Sequence, residues 1–206
     1  MKQLVALLVF APALVRADTP KAPTPAKPVA GAPAMPPVPP KAPEPPKPGP
    51  EMAEYGGGVT GTRKCTGKVI MGGSEVPATA TVTNKLDLGQ FWVQTAFKSK
   101  LGATAFNFTA YTSYNAAEKK FYRVALNNLG GYETSSSIGV DHGMADKWAM
   151  HWDGAAHAAE LAGHPTNVVK TRQMEVYSRA GVEMSGEESA DGGKTWSTSY
   201  SLTCKK

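Results

Sequence analysis

Apolar and polar side chains alternate along most of the chain after residue 60, in short runs separated by Gly, Asn and Asp. The final run is the clearest, because Trp196, Tyr200 and Leu202 share one face with Cys204 while serine and threonine occupy the other. A period of two residues is the signature of a β-strand with one buried face. The pattern predicts about ten strands, at about 61–71, 76–83, 90–99, 103–114, 119–127, 132–140, 146–153, 166–178, 181–188 and 196–204.

Short turn-like segments connect these runs, for example Asn127–Gly131 and Ala180–Gly181. Connections of this size join neighbouring strands as antiparallel hairpins. We therefore predict an all-β protein, an antiparallel up-and-down barrel of about ten strands with a lipocalin-like architecture. The Ala- and His-containing stretch 154–162 shows no clear alternation and is assigned to a loop.

The two cysteines, Cys65 and Cys204, lie in the first and last predicted strands, each on the apolar face. In a closed up-and-down barrel the first and last strands are neighbours, which brings these positions within disulfide reach. An even cysteine count in an exported protein also favours a bridge. The alternative is a pair of buried free thiols.

The first 57 residues differ in composition from the rest of the chain. A basic start, an apolar stretch from Leu4 to Val15 and a small residue before Asp18 have the layout of a secretory signal, and 14 prolines follow between Pro20 and Pro50. No later apolar run is long enough to span a bilayer, so we expect no transmembrane segment in the mature chain and a periplasmic or secreted location. The predicted organisation is a signal peptide at 1–17, a disordered Pro/Ala/Lys-rich linker at 18–57 and the barrel domain at 58–206.

The formal charge of +5 belongs mostly to the N-terminal region. Removing the six basic and two acidic side chains of residues 1–50 from the totals of 22 and 17 leaves 16 basic and 15 acidic groups. A nearly neutral folded domain lacks the electrostatic footprint of a nucleic-acid-binding protein, so no nucleic-acid partner is expected.

Two segments resemble catalytic motifs, but both are incomplete. Gly193–Thr195 resembles the end of a phosphate-binding loop, but Glu188 stands where the first glycine is required. Ser185 lacks the first glycine of a nucleophile elbow. We therefore expect no enzymatic activity, no catalytic residue and no cofactor.

The histidines fall within a single stretch of the chain, at His142, His151, His157 and His164. Their spacing matches no compact zinc motif, and His151 is expected to face solvent because Trp148, Met150 and Trp152 would occupy the inner face of its strand. We predict no metal site, and a haem or metal role through these histidines ranks last among the functions considered.

Aromatic residues on the predicted inner faces could line a cavity for a small apolar ligand, since barrels of this size can enclose one. They could equally fill the interior. The candidate ligand-binding residues are Phe91, Phe97, Phe106, Phe108, Trp148 and Trp152.

Several segments resemble an exported bacterial family of unknown function with a lipocalin-like (calycin- or nitrobindin-like) barrel. They are Gly61–Gly67, Leu88–Trp92, Tyr114–Phe121, Asn127–Gly131 and Cys204–Lys206. The resemblance covers about residues 58–206 and implies a barrel with Cys65 paired to Cys204, but no catalytic residues. The stretch 154–164 is an insertion relative to this family.

Two functional hypotheses follow. The first is a non-enzymatic exported barrel that binds a small hydrophobic ligand. The second is a structural or interaction module that contacts a protein or an envelope surface through the proline-rich tract.

Overall fold

The computed structural model describes residues 44–101, 104–144, 146–158 and 168–206. The predicted signal peptide, the predicted linker up to residue 43 and residues 159–162 of the predicted loop lie outside these ranges. The described elements are helix α1 (Pro50–Val59), strands β1 (Gly61–Met71), β2 (Ser74–Asp87), β3 (Trp92–Leu101), β4 (Thr104–Asn115), β5 (Lys120–Asn127), β6 (Tyr132–Ser137), β7 (Val140–Met144), β8 (Lys147–His157), β9 (Val168–Ser178), β10 (Gly181–Ser189) and β11 (Ser197–Lys205), and one turn of 3-10 helix (Leu88–Gln90) between β2 and β3.

Ten of the eleven strands form a closed antiparallel barrel. Strands β1 to β6 pair in sequence order, as do β8 to β11, and β1 pairs with β11. The ring closes because β6 pairs with the second half of β8, from Ser136 opposite Asp153 to Tyr132 opposite His157. Strand β7 lies outside this ring and pairs with the first half of β8. The predicted up-and-down barrel of about ten strands is therefore confirmed.

The disulfide joins β1 to β11, the first and last strands, which are neighbours in the barrel. Cys65 and Cys204 are direct cross-strand partners, and their sulfur atoms are bonded. Both side chains are buried on the inner face. The predicted pairing of these two residues is thus confirmed, and the bridge links strands whose cysteines are 139 positions apart in the chain.

Helix α1 packs inside one end of the barrel, through Met52, Tyr55 and Val59, which are almost fully buried. We predicted residues 18–57 to be a disordered linker, and for residues 50–57 this is wrong. The buried residues recur at i, i+3 and i+7, which is the spacing of one helix face. Pro50 in the first turn also suits a helix start, because its missing N–H would have no helical partner there.

The structure corrects two other boundaries. The strand predicted at 132–140 is two strands, because β6 ends at Ser137, Gly139 has a positive φ of 133°, and β7 begins at Val140. The predicted loop at 154–162 is strand through His157, since these residues pair with both β6 and β9 to close the barrel. Among the described residues, no helix has the length and apolar character needed to cross a bilayer.

The contact between α1 and the barrel can be tested with two adjacent glycines. A Cβ at Gly58 would lie 2.5 Å from Cζ2 of Trp148, whereas a Cβ at Gly57 would meet no atom within 4 Å. We expect Gly58→Ala to lower the free energy of unfolding by about 1–3 kcal/mol through overpacking. Gly57→Ala should raise it by up to about 1 kcal/mol, because alanine favours the helix. Urea unfolding measures both, and equal effects of the two variants would contradict the docked position of the helix.

Candidate functional site

The barrel encloses a cavity of about 450 Å³, within the range of roughly 300–1,000 Å³ typical of small-molecule sites. Space exists because many inward positions carry small side chains. Tyr55 of α1 borders the cavity at the helix end, and the more exposed Tyr132 and Glu188 border it at the opposite end, which we call the mouth. The alanines that line the cavity are Ala78, Ala110, Ala125, Ala156 and Ala158.

Three of the six predicted ligand-binding aromatics line this cavity together. The rings of Phe97 and Phe108 stack with centroids 4.7 Å apart, and Phe106 packs edge-on against Phe97 at 6.5 Å. Their strands β3 and β4 are neighbours, which places Phe97 directly opposite Phe108. These three rings form an apolar wall.

The other three predicted aromatics do not border this cavity. Trp152 faces inward but is buried beneath the guanidinium of Arg123, whose central carbon is 3.9 Å from the ring centroid. Trp148 stacks on Tyr177 at 3.9 Å and packs against α1. Phe91 lies in the turn between β2 and β3, before the strand enters the barrel wall. Packing and the chain path, rather than residue type, separate the two groups.

A buried polar network forms the cavity floor, and no pattern in the sequence predicts it. The guanidinium of Arg123 donates two hydrogen bonds to Glu175, of 2.7 and 3.2 Å, and a third of 3.2 Å to the hydroxyl of Tyr55. Its Nε donates to Thr112 Oγ1 at 3.3 Å. Tyr177 donates its hydroxyl to Glu175 at 2.9 Å. The network joins α1, β4, β5 and β9 beneath the apolar wall.

Charge pairing stabilises the ionised forms in this network. Burial alone would raise the pKa of Glu175, but the charge and hydrogen bonds of Arg123, with the Tyr177 hydroxyl, outweigh it and lower the pKa. Burial alone would lower the pKa of Arg123, yet Glu175 raises it well above its ordinary value. Burial raises the pKa of Tyr55 and of Tyr177, which keeps both hydroxyls protonated. The floor is therefore an internally neutralised ion pair.

A second polar group fixes the C-terminal end of α1 beside the cavity. Arg63 donates to the carbonyl oxygens of Val59 at 2.5 Å and Gly58 at 3.4 Å. Asn84 donates its amide to Val59 at 3.1 Å, while its Oδ1 is buried and has no donor among the described residues. Both side chains line the cavity. A cation at this end complements the partial negative charge of the helix C-terminus.

Glu133 on β6 is a separate carboxylate on the cavity wall. Its Oε1 accepts hydrogen bonds from Thr171 at 3.1 Å and Gln173 at 2.5 Å. Burial raises its pKa, against the Thr171 hydrogen bond and the charge of Arg123, and the negative charge of Glu188 adds to the increase.

The described histidines do not converge. His142 contacts Glu54 at 2.8 Å, the exposed His151 lies 3.9 Å from Asp141, and His157 stacks on Tyr132 near the mouth. His164 lies outside the described residues. Within the described ranges, no group of three or more histidine, cysteine or acidic side chains has the geometry to hold a metal ion.

Fold and site together define a closed ten-stranded antiparallel barrel with a plugging helix and an apolar interior cavity. No family model matches the chain, and no curated protein does either. Among solved structures, the chain is similar to the crystal structure of Rv2717c from M. tuberculosis, with a TM-score of 0.62 and 11% identity over 78% of this chain and 99% of that one. At this identity the likeness shows the barrel fold alone.

Proposed function

We propose that this protein is an exported, non-enzymatic binding protein that holds a small, mainly apolar ligand inside the barrel. The observation that carries the proposal is the cavity of about 450 Å³ walled by Phe97, Phe106 and Phe108. A barrel interior filled by its own side chains would have left no room for a ligand and would have ruled out the proposal. Burial of apolar surface supplies the affinity, at about 0.8 kcal/mol for each methylene removed from water.

The disulfide supports the export part of this proposal, because such bonds persist in oxidising compartments. The Arg123–Glu175 pair supports the binding part. Its charges and hydrogen bonds are satisfied within the protein, so the floor presents little unmet polarity to an apolar ligand.

A cavity-filling substitution tests the proposal. Ala125 lines the cavity from β5, whereas the adjacent Val124 points outward and is 42% exposed. We expect Ala125→Phe to weaken binding of the uncharged fluorophore N-phenyl-1-naphthylamine by about tenfold or more, since the new ring occupies the ligand volume.

Val124→Phe is the matched control and should bind the fluorophore like the wild type. Fluorescence titration measures both variants, and thermal unfolding establishes that each is folded. If the wild-type protein binds the fluorophore, equal binding by the two variants would contradict a ligand site in the barrel.

A further inference from the structure

The charged groups that line the cavity are not all neutralised. Arg123 and Glu175 form a pair, and Arg63 is held by helix carbonyl oxygens. Glu133 and Glu188 also line the cavity, and neither has an ion-pair partner among the described residues. The part of the cavity toward the mouth therefore carries two acidic side chains without a partner of opposite charge.

The position of Glu133 leaves its carboxylate open to the cavity. Its cross-strand neighbours are Ala125 and Ala156, whose short side chains do not cover it. Among the described residues, both hydrogen bonds to this carboxylate are accepted by Oε1. Its other oxygen, Oε2, is therefore available to a ligand.

Glu188 lies beside this group. It is the cross-strand partner of Thr171, the residue that donates to Glu133, so the two carboxylates flank one threonine. The charge of Glu188 helps to raise the pKa of Glu133, which places the two groups within electrostatic reach of each other. A ligand cation between them would offset both the repulsion and the loss of hydration at Glu133.

We propose that the cavity takes an amphipathic organic cation, whose alkyl or aromatic body lies against the phenylalanine wall and whose protonated amine pairs with Glu133 and Glu188. This inference rests on the proposed function, because it names the ligand class of the same cavity. The apolar body supplies most of the contact area, and the carboxylates select the charge.

Competition among three ligands of equal chain length tests the inference. Decylammonium, 1-decanol and decanoate are titrated against the wild-type protein loaded with N-phenyl-1-naphthylamine. We expect decylammonium to displace the fluorophore at a concentration about tenfold or more below that of decanol, because a hydrogen bond between charged groups adds to the apolar contact. Decanoate should be the weakest competitor, since its carboxylate would meet like charges.

Charge-removing variants assign the selectivity to the two carboxylates. Glu133→Gln should reduce the preference for decylammonium over decanol, measured as the ratio of their displacing concentrations, by about tenfold. Glu188→Gln is a second variant at an exposed position and should act in the same direction. Glu183→Gln removes the same charge from the exposed outer face of β10 and should have no effect.

The outcomes separate this inference from the proposed function. Equal displacement by decylammonium and decanol, stronger displacement by decanoate, or an equal effect of Glu183→Gln would overturn the cation preference and leave apolar binding intact. If the fluorophore does not bind, calorimetric titration of decylammonium into the wild type decides. Heat of binding that is lost in Glu133→Gln supports the cation site, and absence of that heat overturns both proposals.

Discussion

Replacing both Cys65 and Cys204 with alanine is expected to lower the free energy of unfolding by about 5 kcal/mol. The bond links residues 139 positions apart. In the chain-entropy model, a cross-link over so long a loop lowers the conformational entropy of the unfolded chain, which stabilises the folded state by about 5 kcal/mol. The folded structure should change little, because β1 and β11 remain paired over six residue pairs without the disulfide. A loss of this size is a large part of the roughly 5–15 kcal/mol stability of a typical domain.

Urea unfolding of the oxidised wild type, the reduced wild type and the double alanine variant measures this effect. The reduced protein and the variant should unfold at similar urea concentrations, both well below the oxidised protein. A loss below about 1 kcal/mol would contradict the expectation, because it would mean that the unfolded chain gains little freedom when the bond is removed.

The barrel itself was predictable because its strands obey the rule that ties alternation to burial. In β2, Ala78, Ala80 and Val82 are buried while the threonines between them are more exposed. The cysteine pairing followed from the same rule, since the inward face of the first strand had to meet that of the last. These features depend on local pattern and on chain order, both of which are visible in a sequence.

Helix α1 was missed because its sequence gives conflicting signals. Its C-terminal half holds Gly56, Gly57 and Gly58, which disfavour a helix by up to about 1 kcal/mol each relative to alanine. The glycines are compatible with the structure because the helix approaches the barrel wall closely, with Gly58 against Trp148. Tertiary packing thus determines the conformation, and the spacing of Met52, Tyr55 and Val59 was the available signal.

The buried polar network of the cavity floor was not predicted, for a different reason. On β5 the outward residues Tyr122, Val124 and Leu126 are more apolar as a set than the inward ones, which include Arg123. Alternation alone would therefore place Arg123 on the solvent side. Its inward position depends on Glu175, 52 residues away, and no local pattern reveals a partner at that distance.

Breaking this buried pair should be the most damaging single substitution. In the wild type the exposed side-chain fractions are 12% for Arg123 and 3% for Glu175. Glu175→Gln keeps the size of the side chain but leaves the buried Arg123 without its negative partner. We expect the free energy of unfolding to fall by about 3–5 kcal/mol, because an uncompensated buried charge is costly. Urea unfolding near neutral pH measures the change.

Glu187→Gln is the matched control, because it breaks an Arg–Glu pair of similar length, 2.8 Å to Arg172, whose side chains are 44% and 45% exposed. This variant should lose at most about 1 kcal/mol, since exposed pairs are hydrated and screened. Equal losses in the two variants would contradict the burial of Arg123 and Glu175.

Acid unfolding provides a second measurement of the same pair. The folded-state pKa of Glu175 lies below its ordinary value of 4.5, so the unfolded chain binds this proton more readily than the folded protein does. The stabilisation is present above that ordinary value and is lost as the pH falls toward the folded-state pKa. The wild type should therefore lose stability more steeply than Glu175→Gln when both are compared over about pH 6 to 3. Parallel curves would mean that Glu175 is not held ionised by Arg123, and the neutral floor beneath the cavity would then need a different explanation.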